Sequence, residues 1–165
     1  MRRGSRVSAA KGYLVAAAIF VVDQLVKLWI IAGLGLQAKG SINLLPVLSL
    51  TWVENRGVSM GLLQADGAKE RWILTAVTAL IAAGVAWWMR KETNRIDILA
   101  LALVLGGALG NIVDRVRFGY VVDFVHVHVG AWSFYVFNVA DAAITIGVAI
   151  LLLRAFFERK PAAAE

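Results

Sequence analysis

The chain has 165 residues, 60% of them hydrophobic and 17% charged, with a mean hydropathy of +0.74. Soluble domains run nearer ~45–50% apolar and ~25% charged, so polar material is too scarce here to coat a water-soluble globule. A soluble cytoplasmic enzyme and a disordered chain are thereby excluded, and the length suits one domain. Lys and Arg number 17 against 11 Asp and Glu, a net charge of +6. In a membrane protein such an excess reports cytoplasmic loops facing anionic lipid rather than nucleic acid. With no cysteine, there is no disulfide, thiolate metal site or cysteine nucleophile.

A membrane-crossing helix needs ~20 mostly apolar residues. Four stretches qualify in chain order: Tyr13 to Ile31, Trp72 to Met89, Ile96 to Val113 and Val136 to Phe157. The first is too long for a signal-peptide core, and Asp23 and Lys27 interrupt it. Between the first two lies a loop of about residues 32–71, and between the last two a loop of about 114–135. Within the first loop, Ser41 to Trp52 is apolar and partly alternating. In the second, Val121, Asp123, Val125, Val127 and Val129 alternate along a β-branched run, and Gly130-Ala131 offers a turn. Period-two spacing of this kind reads as strand. The fold class expected is a membrane all-α bundle of four transmembrane helices with a small extracytoplasmic β element, all in a single domain, residues 1–165.

Basic residues set the expected orientation. Ten of them (Arg2, Arg3, Arg6, Lys11, Arg90, Lys91, Arg95, Arg154, Arg159 and Lys160) fall on one side. Six (Lys39, Arg56, Lys69, Arg71, Arg115 and Arg117) fall in the two longer loops. The positive-inside rule then places both termini in the cytoplasm. The six tryptophans read mostly as interface anchors, Trp29, Trp72, Trp87 and Trp88 near helix ends and Trp52 and Trp132 in the trans loops.

Ionisable and amide side chains inside a span are costly, so each is a candidate for function. Asp23 and Lys27 are four apart on helix 1 and can pair. Asn111, Asp114 and Arg115 close helix 3, Asn138 and Asp141 open helix 4, and Asp123 lies in the loop between them. At ~1.5 Å rise per residue, Lys27 lies ~24 Å and Asn111 ~22 Å from the cytoplasmic entry, and Asp141 ~8 Å below the trans surface. Polar groups from three helices and a loop thus converge near the trans interface. Gly106 and Gly110 form a small-xxx-small pair for helix packing, and Gly107 serves either packing or access to a site. His126 and His128 lie two apart on one strand face. No third ligand with suitable spacing accompanies them, so the reading is a solvated face and no metal.

Five segments carry a resemblance: Asp23-Gln-Leu-Val-Lys27, Glu54-Asn-Arg-Gly57, Gly106-Gly-Ala-Leu-Gly-Asn-Ile-Val-Asp-Arg115, Gly119-Tyr-Val-Val-Asp-Phe124 and Phe137-Asn-Val-Ala-Asp141. In order and content they resemble the sequence boxes of the lipoprotein signal peptidases, or signal peptidase II. The resemblance implies a membrane aspartyl endopeptidase in the bacterial cytoplasmic (inner) membrane. It would cut diacylglyceryl-modified prolipoproteins on the N-terminal side of the lipidated cysteine. It also implies Asp123 and Asp141 as the catalytic pair, and Asn55, Gly107, Asn111, Arg115 and Asn138 as supporting residues. Asp23 and Lys27 match the structural first box, and Asp114 reads as a helix-end brace with Arg115 or Arg117. Partners are the prolipoprotein substrate and membrane lipid, without nucleic acid or cofactor, and the chain is expected to act as a monomer. Two positions depart from the pattern: Val26, where a hydroxyl residue is usual, and Met60, where an aromatic is common. A small transporter or proton pathway is the alternative, since it too would hold Asp and Lys in the membrane. Inverted repeats would favour it, and none is visible.

Overall fold

A computed structural model describes residues 3–58, 63–64, 68–130 and 132–157. Met60, Ala131 and the tail 161–165 lie outside the described residues. Four helices are long and apolar enough to cross a membrane. The first, α1 (Arg3–Leu28), runs into a π-helical turn, Trp29–Gly33, and a short α2 (Leu36–Lys39) follows. The others are α3 (Ala68–Lys91), α4 (Arg95–Arg117) and α5 (Val139–Phe157).

The outward faces of these helices are apolar. Leu14, Leu80 and Phe156 are each 70% or more exposed, which suits a lipid solvent and no other. At the centre lies α4, packed against α1, α3 and α5. Glycines make that possible. A Cβ at Gly106 would meet Ala16 O at 2.6 Å, one at Gly110 would meet Asp23 Oδ2 at 2.5 Å, and one at Gly107 would run into Ala140 O. Close backbone approach of this kind is the membrane substitute for a hydrophobic driving force. Gly106 therefore packs α4 on α1, and Gly107 packs it on the start of α5. Below them Ala16, Ala82, Met89, Ile98, Leu101, Ala102 and Leu105 form the apolar core. Asn94 caps α4, its side chain accepting from Ile96 N and Asp97 N.

The β element is a four-stranded antiparallel sheet in the order β1 (Ser41–Leu45), β2 (Leu48–Asn55), β5 (Val121–Val129), β6 (Trp132–Ser133). A separate two-stranded ladder pairs β3 (Gly57–Val58) with β4 (Leu63–Gln64). Leu50, Val122 and Phe124 pack on Ile30 and Leu36, seating the sheet on the end of α1 and on α2. Across one face of the sheet run side-chain rungs. Ser41 meets Thr51, Thr51 meets His126 Nδ1, and His126 Nε2 meets Ser133 at 2.6 Å. In parallel, Ser49 donates to Asn43 and meets His128 Nε2 at 2.8 Å. The two histidines are thus absorbed by hydroxyls. Among the described residues no group of three His, Cys, Asp or Glu could hold a metal ion.

Helix ends differ from the apolar runs at two points that matter for the site. The third span continues to Arg117, so Asp114 and Arg115 sit inside α4 rather than at its close. The fourth begins at Val139, not Val136, because Phe137 pairs with Val125 on the sheet through N–H to O bonds of 3.0 and 2.7 Å.

Candidate active site

The start of α5 is built by its own side chains. Asn138 Oδ1 accepts the N–H of Asp141 at 2.9 Å, and Asp141 Oδ2 accepts the N–H of Asn138 at 3.3 Å. This is a reciprocal capping box, in which both side chains satisfy orphan donors of the first turn. Asp141 is therefore fixed in direction by the same bonds that start the helix. The positive end of the helix dipole lies beside its carboxylate.

Asp123 reaches this point from β5. Its Oδ1 accepts from Asn138 Nδ2 at 2.6 Å and its Oδ2 from Asn55 Nδ2 at 3.0 Å. Asn111, on α4, completes the arrangement by donating Nδ2 to Asp141 Oδ1 at 2.8 Å. Its Oδ1 accepts from Asn138 Nδ2 at 3.3 Å and from Lys27 Nζ at 3.4 Å. Three asparagines thus bind two acids, with every amide orientation specified by its partners. Asp123 is 1% exposed, while Asp141 is half-buried. Burial, and then the Asp141 carboxylate nearby, push the Asp123 carboxyl up to about 7, against the pull of its Asn55 and Asn138 hydrogen bonds.

Beneath the pair lies a second polar cluster. Lys27 Nζ is 2.9 Å from Asp23 Oδ2 and 2.7 Å from Asp114 Oδ2, with all three side chains buried. The pairing of Asp23 with Lys27 is as the four-residue spacing predicts. The brace expected between Asp114 and Arg115 or Arg117 is not formed. Asp114 takes its hydrogen bonds from Lys27, from Gln24 Nε2 at 3.1 Å and from Val122 N–H at 3.1 Å. A lysine on another helix wins because it is buried with the acid, whereas Arg117 is exposed and Arg115 lines a cavity on α4. Gln24 went unread in the sequence; its only signal was a polar residue beside Asp23 in an apolar run.

Arg115 instead lines a cavity of about 250 Å³ over α4, walled by α3 and α5. Thr78, Ile81, Val104, Ala108 and Ile144 make its apolar part, and Asn111 and Arg115 its polar part. Every residue singled out from the sequence as catalytic or supporting is described, and Asp123, Asp141, Asn55, Asn111 and Asn138 are directly bonded into one network. Gly107 contributes by closeness, and Arg115 by its charge at the cavity.

Four apolar helices, a seated sheet and two acids held at their junction define a polytopic membrane enzyme. The signal peptidase (SPase) II family model matches residues 15–157, and the chain belongs to that family, which makes it a protease. It is 54% identical over 151 residues to a lipoprotein signal peptidase of Rhizorhabdus wittichii, covering 91% of this chain and 88% of that protein. It is 52% identical to one of Sphingopyxis alaskensis, covering 87% and 84%. A solved bacterial membrane enzyme superposes with a TM-score of 0.77 at 28% identity, covering 94% of this chain and 95% of the other.

Proposed function

We propose that this chain removes signal peptides from diacylglyceryl-modified prolipoproteins by aspartyl chemistry, cutting on the N-terminal side of the lipidated cysteine. The observation that carries this reading is the placement of two differently solvated acids beside an apolar cavity. Acyl chains rest in hydrocarbon and along the cavity, and the scissile bond meets the acids at its polar end. A transporter has no need of such a site, and family membership does not favour one.

Asp123 and Asp141 divide the work. Asp141, the less buried of the two, takes a proton from the attacking water, while the water oxygen bonds to the scissile carbonyl carbon. Asp123, with its carboxyl near 7, gives its proton to the carbonyl oxygen. The gem-diol then collapses. One of its hydroxyls returns a proton to Asp123 as the carbonyl re-forms, the C–N bond breaks, and Asp141 gives its proton to the leaving cysteine nitrogen, which restores both acids. Asn111 and Asn138 hold both carboxylates through this exchange. Arg115, at the cavity's polar end, is placed to bind a substrate carbonyl. No metal or cofactor enters any step. We place the site near the extracytoplasmic face, with both termini cytoplasmic, acting as a monomer.

The test is cleavage of a lipidated prolipoprotein by purified enzyme and by Asp141→Asn. Loss of cleavage by orders of magnitude in a folded variant is expected, and retained cleavage refutes the aspartyl assignment.

A further inference from the structure

Two buried acids outside the candidate pair make the same unusual bond. Asp23 Oδ1 accepts the N–H of Ala140, the residue before Asp141, at 3.0 Å. Asp114 Oδ2 accepts the N–H of Val122, the residue before Asp123, at 3.1 Å. Lys27 Nζ lies between the two acids, at 2.9 and 2.7 Å. One acid therefore grips the helix start that carries Asp141, the other grips the strand that carries Asp123, and one lysine ties the grips together. An ion pair that only offset burial would be complete with Asp23 and Lys27. It would not need an acid from α4, nor backbone partners one residue from each candidate carboxylate.

We propose that Asp23, Lys27 and Asp114 form a brace that fixes the separation of the Asp123 and Asp141 carboxylates, which makes all three positioning residues for the hydrolysis. The proposal rests on the aspartyl reading above. Lys27 acts on the pair by a second route as well. It donates to Asn111 Oδ1, which leaves Asn111 Nδ2 to face Asp141. The charged groups around the pair are Lys27 with Asp23 from α1, and Arg115 with Asp114 from α4.

The experiment compares full-length wild type with Lys27→Met on two readouts. The first is the carboxyl ¹³C titration of aspartate-labelled protein, with the pair assigned by Asp123→Asn and Asp141→Asn. The gap between the two steps of the pair reports how strongly the carboxylates are coupled. The gap should shrink by about one pH unit in Lys27→Met, because coupling between the carboxylates falls as they part. The second readout is cleavage of a lipidated prolipoprotein. Per folded molecule, kcat should fall by about a hundredfold with KM within about threefold, as misplacement by an ångström would cause. An unchanged kcat per folded molecule overturns the proposal whatever the gap does. If wild type cleaves nothing, the aspartyl reading fails, and an unchanged gap then overturns the brace on its own. Should Lys27→Met not fold, Asp114→Asn keeps an acceptor for Val122 N–H, loses the charged bridge, and carries both readouts with the same outcomes.

Discussion

Replacing Asp123 by Asn tests the site through stability as well as chemistry. The carboxyl sits at about 7 against an ordinary 3.8. An acid raised in the folded state destabilises the fold as pH rises. The cost is absent below 3.8, grows between 3.8 and 7, and is complete above 7. Its full size is about 4 kcal/mol, from 1.36 kcal/mol per pH unit. An amide escapes that cost. In exchange it turns one NH₂ toward a donor, since Asp123 accepts from both Asn138 and Asn55. Asn55 cannot flip freely to repair this, because its Oδ1 accepts from Gly57 N. That mismatch costs about 1 kcal/mol. Asp123→Asn should therefore be more stable than wild type above pH 7 by about 3 kcal/mol, a rise in Tm on the order of 10 °C. The lead should vanish or reverse near pH 4. Melting of purified protein in detergent at pH 4, 6 and 8 measures it, and cleavage at pH 7 should be lost by orders of magnitude. A Tm difference that ignores pH, or cleavage near the wild-type rate, refutes the placement of a buried proton donor at Asp123. Near wild-type cleavage together with a folded but inactive Asp114→Asn would move the role to Asp114.

Since Asp123 must be protonated to donate, wild-type kcat/KM should fall as pH rises through about 7, read from a pH–rate profile; a kcat/KM flat from pH 6 to 9 contradicts the assignment. The double variant Asp123→Asn/Asp141→Asn should be little worse than either single one, because residues acting as a unit are non-additive. Gly110→Ala would push a methyl to within 2.5 Å of Asp23 Oδ2, so its Tm and yield should drop clearly, whereas Gly84→Ala, with open space at its Cβ, should not. Cleavage should survive a strong chelator, since both histidines are held by hydroxyls; loss with recovery on zinc would make His126 and His128 ligands. Reporter fusions after Arg95 and after Lys160 should read cytoplasm, and a trans-side signal at the C-terminus would break the proposed orientation.

The helices were legible because lipid demands long apolar runs, and Asp23, Lys27, Asn111 and Asp141 stood out against them. Their ends were less so. Val136 and Phe137 are as apolar as any span, yet the sheet takes Phe137 as a pairing partner and Asn138 then caps the helix. The strands showed in the alternation of 121–129, but the pairing of β2 with β5 joins distant segments that no local pattern announces. Nearness in sequence suggested Arg115 as the partner of Asp114, whereas burial selected Lys27. The backbone donors of Val122 and Ala140 leave no trace in residue type at all.

The rungs of hydroxyls and imidazoles across the sheet also bear on where Asp123 points. Successive side chains on a strand alternate between faces, so a slip of one residue in the pairing of β5 with β2 would turn Asp123 away from Asn55 and Asn138. Apolar strands such as 121–129 resist slipping poorly, because neighbouring valines are interchangeable. Ser49 with His128, and Thr51 with His126, are not interchangeable with anything one step along. The polar end of the sheet thus indexes β5 against β2 as far as Leu50, and beyond the register shift between Leu50 and Val53 the Val53–Asp123 pairing sets the side on which the acid arrives.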